Sequence, residues 1–295
     1  MPFDSRLVGT PLGPFEYQVD AGWTMAYAAG VGDMSPVYVD SLRPDGLLAH
    51  PVFPVCLVWK GMAELDQRLR NSALRPDEAV RRVHATQDMI LHRPLHAPER
   101  VTTRAMLIAA ERRSPGTYIV TRYETSEASG APLATVYWGQ IYRNVELIGG
   151  DCRVGQLATL PQTGKWDGHP RGEFTLPISA GLGHVYTACA RQNKAVNIHT
   201  DTALARRAGL PAPILMGTAT LALSVSKIIM AEMGGDPGRV ARIYGRFGAM
   251  VLMPSEITIR IMTREKIAAD TAIFFETLSA DGGRAIRDGV VLLRN

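Results

Sequence analysis

The feature that most constrains the fold of this chain is an internal duplication. The two halves of the sequence share three segments in the same order, separated by about 160 residues. The paired segments begin at Tyr27 and Tyr186, at Gly46 and Gly209, and at Pro98 and Pro254. Two copies are too few for a solenoid, in which stacked repeats bury a continuous core. The duplication therefore predicts a tandem pair of similar domains.

The length of the chain leaves room for such a pair. Its 295 residues are enough for two domains of about 150 residues, and with 46% hydrophobic residues each can bury a core. Between the halves lies a stretch rich in glycine and proline without sustained periodicity. We therefore expect a first domain over residues 1–148, a linker over 149–171 and a second domain over 172–295.

Composition excludes several classes of protein. No run of about 18 apolar residues is present, so a membrane span is not expected, and the N-terminal residues lack a signal pattern, which favours a cytoplasmic protein. The net charge is +4 and no basic block is interleaved with aromatic residues, which argues against nucleic acid binding. The cysteines Cys56, Cys152 and Cys189 are far apart, so neither a disulfide framework nor a metal site is expected.

Both halves show the same order of predicted elements. An apolar stretch of helical length, residues 55–69 in the first half and 218–233 in the second, precedes several strand-like runs separated by turn signals. A long helix followed by antiparallel strands predicts an α+β unit in each half. Since one helix cannot cover such a sheet completely, we expect the sheets of the two halves to pair side by side.

The segment over residues 198–222, IHTDTALARRAGLPAPILMGTATLA, resembles the signature of the MaoC-like dehydratases, the (R)-specific enoyl-CoA hydratases of the hot-dog fold. In that family an Asp, a variable residue and Asn-Pro-Ile-His precede a short helix and Pro-Ile-Leu-His-Gly. The two-copy layout resembles the double hot-dog members, whose halves each wrap an antiparallel sheet around a long central helix. The resemblance covers roughly residues 15–145 and 172–295. It implies an active site in the second copy and a degenerate first copy that forms part of the acyl tunnel.

The resemblance also implies a substrate and partners. The substrate would be a 2-enoyl or 3-hydroxyacyl thioester of coenzyme A or of an acyl carrier, and no further cofactor is expected. Pairing of double hot-dog chains makes a homodimer the expected assembly. The seven histidines are scattered without a metal-ligand spacing, so no metal is expected.

Hydration of a 2-enoyl thioester needs three groups. A base or orienting group activates water for attack at C3, an acid protonates C2, and a donor holds the thioester oxygen as negative charge builds on it. In the family an Asp and a His five residues apart supply the first two, and a backbone N–H at the start of the central helix supplies the third. By residue match, His199 takes the His role and the Gly217 N–H takes the donor role.

The second copy departs from the family pattern at the Asp. Lys194 stands five residues before His199, and if two residues are inserted here the Asp position falls on Gln192. An amide orients water but cannot take its proton, so His199 would be the only acid and base. Asn193 and Asn197 either position the water together with Gln192 or satisfy backbone groups of the loop.

Three residues are candidates for substrate binding. Met216 replaces the His that usually precedes the helix glycine, and Lys194 pairs with a phosphate or faces solvent. Arg246, like Arg242 on the same predicted strand, binds the phosphates of coenzyme A or belongs to an ordinary solvated strand face.

The first copy departs in the opposite way. It keeps an Asp, Asp33, at the family spacing, but Tyr38 stands where the His would be and Val55 replaces the helix glycine. The plainer interpretation of Asp33 is a turn or helix-capping carboxylate. Asp201 of the second copy is likewise expected to cap the helix that follows it.

The sequence favours reversible hydration of an enoyl thioester with His199 as the acid and base. The alternative is a non-catalytic thioester-binding or partner subunit, which the missing Asp motivates. Thioester hydrolysis is disfavoured because it normally needs a carboxylate on or near the central helix, whereas Glu232 lies late in the second-copy helix.

Overall fold

The structure of the protein is a computed structural model that describes residues 3–72, 74–75, 78, 81–156, 159–160, 168–192 and 196–294. The helices discussed below are α1 (Ala21–Gly30), α2 (Pro36–Val39), α3 (Trp59–Ser72), α4 (Leu182–Cys189), α5 (Thr202–Arg207) and α6 (Gly217–Met233). The strands of the first half are β1 (Phe3–Asp4), β2 (Pro11–Val19), β3 (Leu47–Leu48), β4 (Arg82–Leu91), β5 (His96–Ala97), β6 (Glu99–Arg113), β7 (Gly116–Glu127), β8 (Pro132–Arg143), β9 (Leu147–Ile148) and β10 (Cys152–Arg153). Those of the second half are β11 (Gly172–Ile178), β12 (Val240–Phe247), β13 (Ser255–Ile267), β14 (Asp270–Ser279) and β15 (Arg284–Leu293).

One 11-stranded antiparallel sheet runs through both halves. Its strand order is β10-β6-β7-β8-β4-β12-β15-β14-β13-β11, and β2 also pairs with β6. The two halves meet where β4 pairs with β12, with Asp88 opposite Tyr244. This confirms the predicted side-by-side pairing of the two sheets, because β4–β12 hydrogen bonds join them into one.

The central helix of the second copy, α6, forms close to where the sequence predicts it. Its sequence is mostly apolar, and it packs against β13 and β15 with most of its residues buried. Among its buried polar side chains, Ser224 shares a hydrogen bond of 2.7 Å with Thr277 on β14. The helix ends at Gly234, whose φ of +61° is the left-handed conformation that glycine adopts without strain. None of the described helices is long and apolar enough to cross a membrane.

The central helix of the first copy starts later than predicted. Residues Phe53–Val58 form a 3₁₀ helix, and α3 begins only at Trp59. The His50 carbonyl accepts a 3₁₀-type bond from the Phe53 N–H at 2.7 Å, and the residue after Phe53 cannot add the α-helical bond to the same carbonyl. Pro54 follows at once and has no N–H to extend an α-helical ladder.

An ion pair stabilises the seam between the halves, which is the pairing of β4 with β12. Arg242 on β12 donates through Nε and Nη2 to the carboxylate of Asp88 on β4, at 2.8 and 2.7 Å. A third donor, Nη1, reaches the carbonyl of Thr159 at 2.9 Å, in the stretch predicted to be the linker. The side chains of Arg242 and Asp88 are only 9% and 12% exposed, so this pair ties both sheets and the linker together in a dry environment.

Candidate active site

His199 lies in the turn that precedes α5, and its ring is fixed by the backbone. The ring nitrogen Nδ1 lies 2.9 Å from the carbonyl oxygen of Ile214. Since a carbonyl only accepts, Nδ1 must carry the proton and donate it, which leaves the lone pair on Nε2. The His199 backbone N–H donates to Asn197 Oδ1 at 2.8 Å, which holds the turn itself. The geometry thus presents an imidazole whose free nitrogen can accept a proton.

The charge state of His199 agrees with that role. Burial lowers the pKa of His199 below its ordinary value of 6.5, and the bond to the Ile214 carbonyl opposes this only in part. The ring is therefore neutral at pH 7, the form that a general base requires.

Gly217 is the first residue of α6 and follows the segment that holds the His199 ring. Ile214, which holds the His199 ring, precedes Gly217 by three residues, and Met216 is the N-cap. The N-cap side chain makes no capping hydrogen bond, and the N–H groups of a first helical turn have no partner inside the helix. A Cβ on Gly217 would lie 2.9 Å from the Phe247 ring, so only glycine fits here.

Gln192 and Met216 adjoin the His199 turn. Gln192 Oε1 accepts a hydrogen bond from Asn197 Nδ2 at 3.3 Å, and Gln192 Nε2 lies 3.8 Å from Met216 Sδ. Asn197 in turn holds the His199 backbone, so the structure brings four of the predicted site residues into one contact chain. The predicted site residues Asn193 and Lys194 lie outside the described residues.

The duplication fixes which residue occupies the family's Asp position. Tyr27 and Tyr186 meet near the boundary of the two copies, with hydroxyl oxygens 3.3 Å apart. Asp33 follows Tyr27 by six residues, just as Gln192 follows Tyr186. The backbone N–H of each residue donates a hydrogen bond to the carbonyl five residues earlier, which for Asp33 is that of Ala28. Asp33 and Gln192 therefore close the same turn. Gln192 therefore stands in the second copy where the first has its carboxylate.

Tyr38 and His199 are also structural equivalents. The Asp40 N–H donates to the Pro36 carbonyl, and the Asp201 N–H donates to the Asn197 carbonyl. Tyr38 and His199 each lie in the middle of the turn that these bonds close. Asp201 then caps α5 by accepting from the Leu204 N–H at 2.6 Å, as predicted.

Asp33 has the local contacts of a turn carboxylate. Its Oδ1 accepts from the backbone N–H of Ser35 at 3.1 Å and from the Ser35 hydroxyl at 2.6 Å. These contacts agree with the plainer of the two sequence interpretations, in which Asp33 stabilises its own loop.

The structure does not bring Arg246 to the site. Phe247 contacts Gly217, and because side chains alternate along a strand, Arg246 points to the opposite face of the sheet. There it donates to Asp288 at 3.0 Å. Arg242 is held inside the seam by Asp88, and its side chain is only 9% exposed.

Sequence reasoning missed His50, which is the first-copy equivalent of Met216. Leu48 lies two residues before His50 and pairs with His96. Ile214 lies two residues before Met216 and forms the same kind of antiparallel pair with Leu252. The sequence carried a signal for this equivalence: residues 48–51 read Leu-Ala-His-Pro, and residues 214–217 read Ile-Leu-Met-Gly.

The contacts of His50 show that it is structural. Its Nδ1 accepts from the Val52 N–H at 3.1 Å, so Nε2 carries the proton and donates to Ser226 Oγ on α6 at 3.0 Å. Burial lowers the pKa of His50 to about 4, which keeps the ring neutral. Pro51 follows His50 where Gly217 follows Met216, and since proline has no N–H, the start of this helix offers one donor fewer to a thioester oxygen than the start of α6.

No group of three histidine, cysteine, aspartate or glutamate side chains suited to a metal ion occurs among the residues that the structure describes.

Comparison with known proteins finds two family matches. Residues 6–136 match the FAS1-like dehydratase domain region, and residues 196–280 match the MaoC-like domain. The peroxisomal enoyl-CoA hydratase 2 of Arabidopsis thaliana is 33% identical over 97 residues, which are 33% of this chain and 30% of the plant protein. The chain thus spans less than a third of that relative in the match.

Solved structures share the fold over nearly the whole chain. The MaoC-like dehydratase from Phytophthora capsici has a TM-score of 0.79 at 19% identity, covering 98% of this chain and 96% of that one. A protein of Mycobacterium tuberculosis described as a double hotdog fold has a TM-score of 0.59 at 14% identity, covering 97% and 96%. These likenesses confirm the predicted double hot-dog architecture.

Proposed function

We propose that this chain, which belongs to the MaoC-like dehydratases with a double hot-dog fold, catalyses the reversible hydration of a 2-enoyl thioester to a 3-hydroxyacyl thioester. The observation that carries the proposal is the hydrogen bond between His199 Nδ1 and the Ile214 carbonyl. It sets the tautomer of the base, and it ties the ring to the segment that leads into the start of α6.

His199 acts first as the base and then as the acid. Nε2 takes a proton from water while the water oxygen forms a bond to C3 of the enoyl group. The C2–C3 double bond shifts its electron pair toward the thioester carbonyl, and the resulting imidazolium returns the proton to C2. One water is added in all, and dehydration runs through the same steps in reverse.

The Gly217 N–H stabilises the enolate-like oxygen. It lies at the positive end of the α6 dipole, where negative charge on the thioester oxygen is favoured. The contact between Gly217 and Phe247 keeps this helix start in place, because no side chain intervenes between them.

Gln192 orients the water in place of the family's carboxylate. Its Oε1 already accepts from Asn197, and a second lone pair on this oxygen can accept from water. Since an amide cannot take the proton, His199 carries the whole proton transfer. Asn193 belongs to the same proposed set, and Lys194 and Met216 are proposed to contact the substrate near this loop.

The substrate is proposed to be an acyl thioester of coenzyme A or of an acyl carrier, bound without a further cofactor. The match to the Arabidopsis enoyl-CoA hydratase 2 supports this substrate class. The acyl chain would lie between the degenerate first copy and α6. The enzyme is further proposed to be a cytoplasmic homodimer.

Turnover of a short and a long trans-2-enoyl-CoA tests the proposal. Loss of the conjugated-thioester absorbance is followed for the wild type, for His199→Ala and for His92→Ala. His92 is an exposed histidine whose ring bonds to Thr135, and it serves as the matched control. We expect His199→Ala to lower kcat by about 10²–10⁴-fold and the control to leave it unchanged. Full activity in His199→Ala would refute the assignment.

Gln192 and Met216, which contact each other in the site, have side chains that cannot ionise, and this favours a second candidate function. A site that has an amide where the family has a carboxylate suits a subunit that binds acyl thioesters without turning them over. This candidate predicts that the wild type binds trans-2-enoyl-CoA in calorimetry without any loss of absorbance. It also predicts that His199→Ala leaves the dissociation constant unchanged.

A further inference from the structure

The last turn of α4, which leads directly into Gln192, is held by the first copy. The carbonyls of Cys189 and Ala190 accept hydrogen bonds from two indoles, Trp23 Nε1 at 3.0 Å and Trp59 Nε1 at 2.9 Å. Both tryptophans are buried, being 4% and 5% exposed. Helix C-terminal carbonyls need partners from outside the helix, and here the other copy supplies them.

The residue between this turn and Gln192 has an unfavourable backbone. Arg191 has a φ of +48°, in the left-handed region that a residue with a Cβ enters only at a cost. Its guanidinium lies 4.3 Å from the centre of the Trp23 ring and donates to Asp20 at 3.2 Å. Asp20 also accepts from the Trp23 N–H at 2.7 Å, so one end of α1 carries both contacts.

In the part of the first copy that the structure describes, no such arrangement occurs at the equivalent turn. The equivalent of Arg191 is Gly32, with a φ of +70°, which glycine adopts without strain. The equivalent of Trp23 is Leu182, because each lies four residues before the paired tyrosine of its copy, and leucine has no side-chain donor. The support therefore acts in one direction, from the first copy to the turn that carries Gln192.

We propose that Trp23 and Trp59 are positioning residues for the active site of the second copy. They fix the two carbonyls before Arg191, and the Trp23 ring holds Arg191 in its left-handed conformation, which aims Gln192 at the water. The inference rests on the proposed function only for its effect on turnover. Its structural part, the immobilisation of residues 187–192, can be tested without any activity.

The first experiment measures amide hydrogen exchange over residues 187–192. The variants are Trp59→Phe and Trp23→Phe, which keep an aromatic ring and remove the N–H donor. Tyr118→Phe is the control, because it deletes a partly buried 2.8 Å hydrogen bond to Thr86 elsewhere in the first copy. We expect exchange in this segment to be about 10-fold faster in both tryptophan variants and unchanged in the control. Unchanged exchange in the tryptophan variants, or equal acceleration in all three, would overturn the proposal.

The second experiment measures hydration kinetics of the same variants. Misplacement of Gln192 should lower kcat by about 10-fold while KM stays within about 2-fold, since binding of the acyl chain is not altered. A rise in KM at constant kcat, or no change in either, would contradict a positioning role. If the wild type shows no turnover at all, the proposed function fails, and the exchange result still decides the proposal about the tryptophans.

The double variant Trp23→Phe/Arg191→Gly provides a rescue test. Glycine removes the cost of the left-handed backbone, so the turn depends less on Trp23. We expect exchange over residues 187–192 in the double variant to be slower than in Trp23→Phe alone. If Arg191→Gly instead adds its own acceleration to that of Trp23→Phe, the tryptophan does not act through the turn.

Discussion

Removing the guanidinium of Arg242 should strongly destabilise the fold, because it leaves a buried carboxylate without its partner. In Arg242→Met the Asp88 carboxylate, 12% exposed, loses both of its charged donors. Breaking a buried ion pair in this way costs about 3–5 kcal/mol of unfolding free energy. The lost hydrogen bond to the Thr159 carbonyl adds about 1 kcal/mol.

The matched control is Arg246→Met on the same strand. Arg246 pairs with Asp288 at 3.0 Å, but these side chains are 46% and 55% exposed. An exposed pair of this kind contributes only about 0–1 kcal/mol. The two variants therefore remove the same group from one strand and differ in the burial of the partner carboxylate.

Guanidinium chloride unfolding followed by circular dichroism measures both variants. We expect the unfolding midpoint to fall much further for Arg242→Met than for Arg246→Met, with similar slopes. In the double variant Asp88→Val/Arg242→Met most of the loss should be recovered, because two apolar side chains replace the pair without a buried charge. Equal midpoints for the two single variants would refute the reasoning about the seam.

Other predictions follow from the site and the buried histidine. Gly217→Ala should lower kcat by at least about 10-fold and destabilise the fold by about 1–3 kcal/mol, because its Cβ would lie 2.9 Å from the Phe247 ring; kinetics and thermal unfolding measure these effects. Acid should destabilise the protein through His50: the unfolded chain binds a proton near pH 6.5, whereas the folded state does so only near pH 4. Stability is thus lost as the pH falls from 6.5 toward 4, by up to about 3 kcal/mol, and the Tm of His50→Gln should vary less over this range. Asp201→Ala should cost about 1 kcal/mol through loss of the α5 cap, measured by the unfolding midpoint.

The sequence predicted the parts of the fold that carry strong periodicity. Strands β6, β7, β8 and β12 to β15 and helix α6 follow from apolar patterns in the sequence, whereas β4, which joins the two halves, was not predicted. Strand β2 was not predicted, since Pro11, Gly13 and Pro14 interrupt it, and such a strand is tolerated only at an edge. The late start of α3 was missed because the effect of Pro54 was not weighed: it has no N–H for the His50 carbonyl, which accepts a 3₁₀-type bond from Phe53 instead.

The site was predictable where the duplication or the family resemblance reached it. His199 and Gly217 came from the family resemblance, and the Gln192 alternative came from comparing the two copies. The equivalence of His50 and Met216 was missed because the copies differ in length just before their central helices. The contacts of Trp23 and Trp59 lie 166 and 131 residues away in the chain, so only the folded structure brings them to the turn before Gln192.

The most direct test of the central claim, that a neutral His199 is the base, is the pH dependence of kcat/KM for hydration of a trans-2-enoyl-CoA. Burial lowers the pKa of His199, so activity should fall with acid through one inflection below 6.5, and Gln in place of His199 should abolish that inflection. An inflection at or above 6.5 would contradict the account. So would an inflection that persists unchanged in His199→Gln, because another group would then carry the proton.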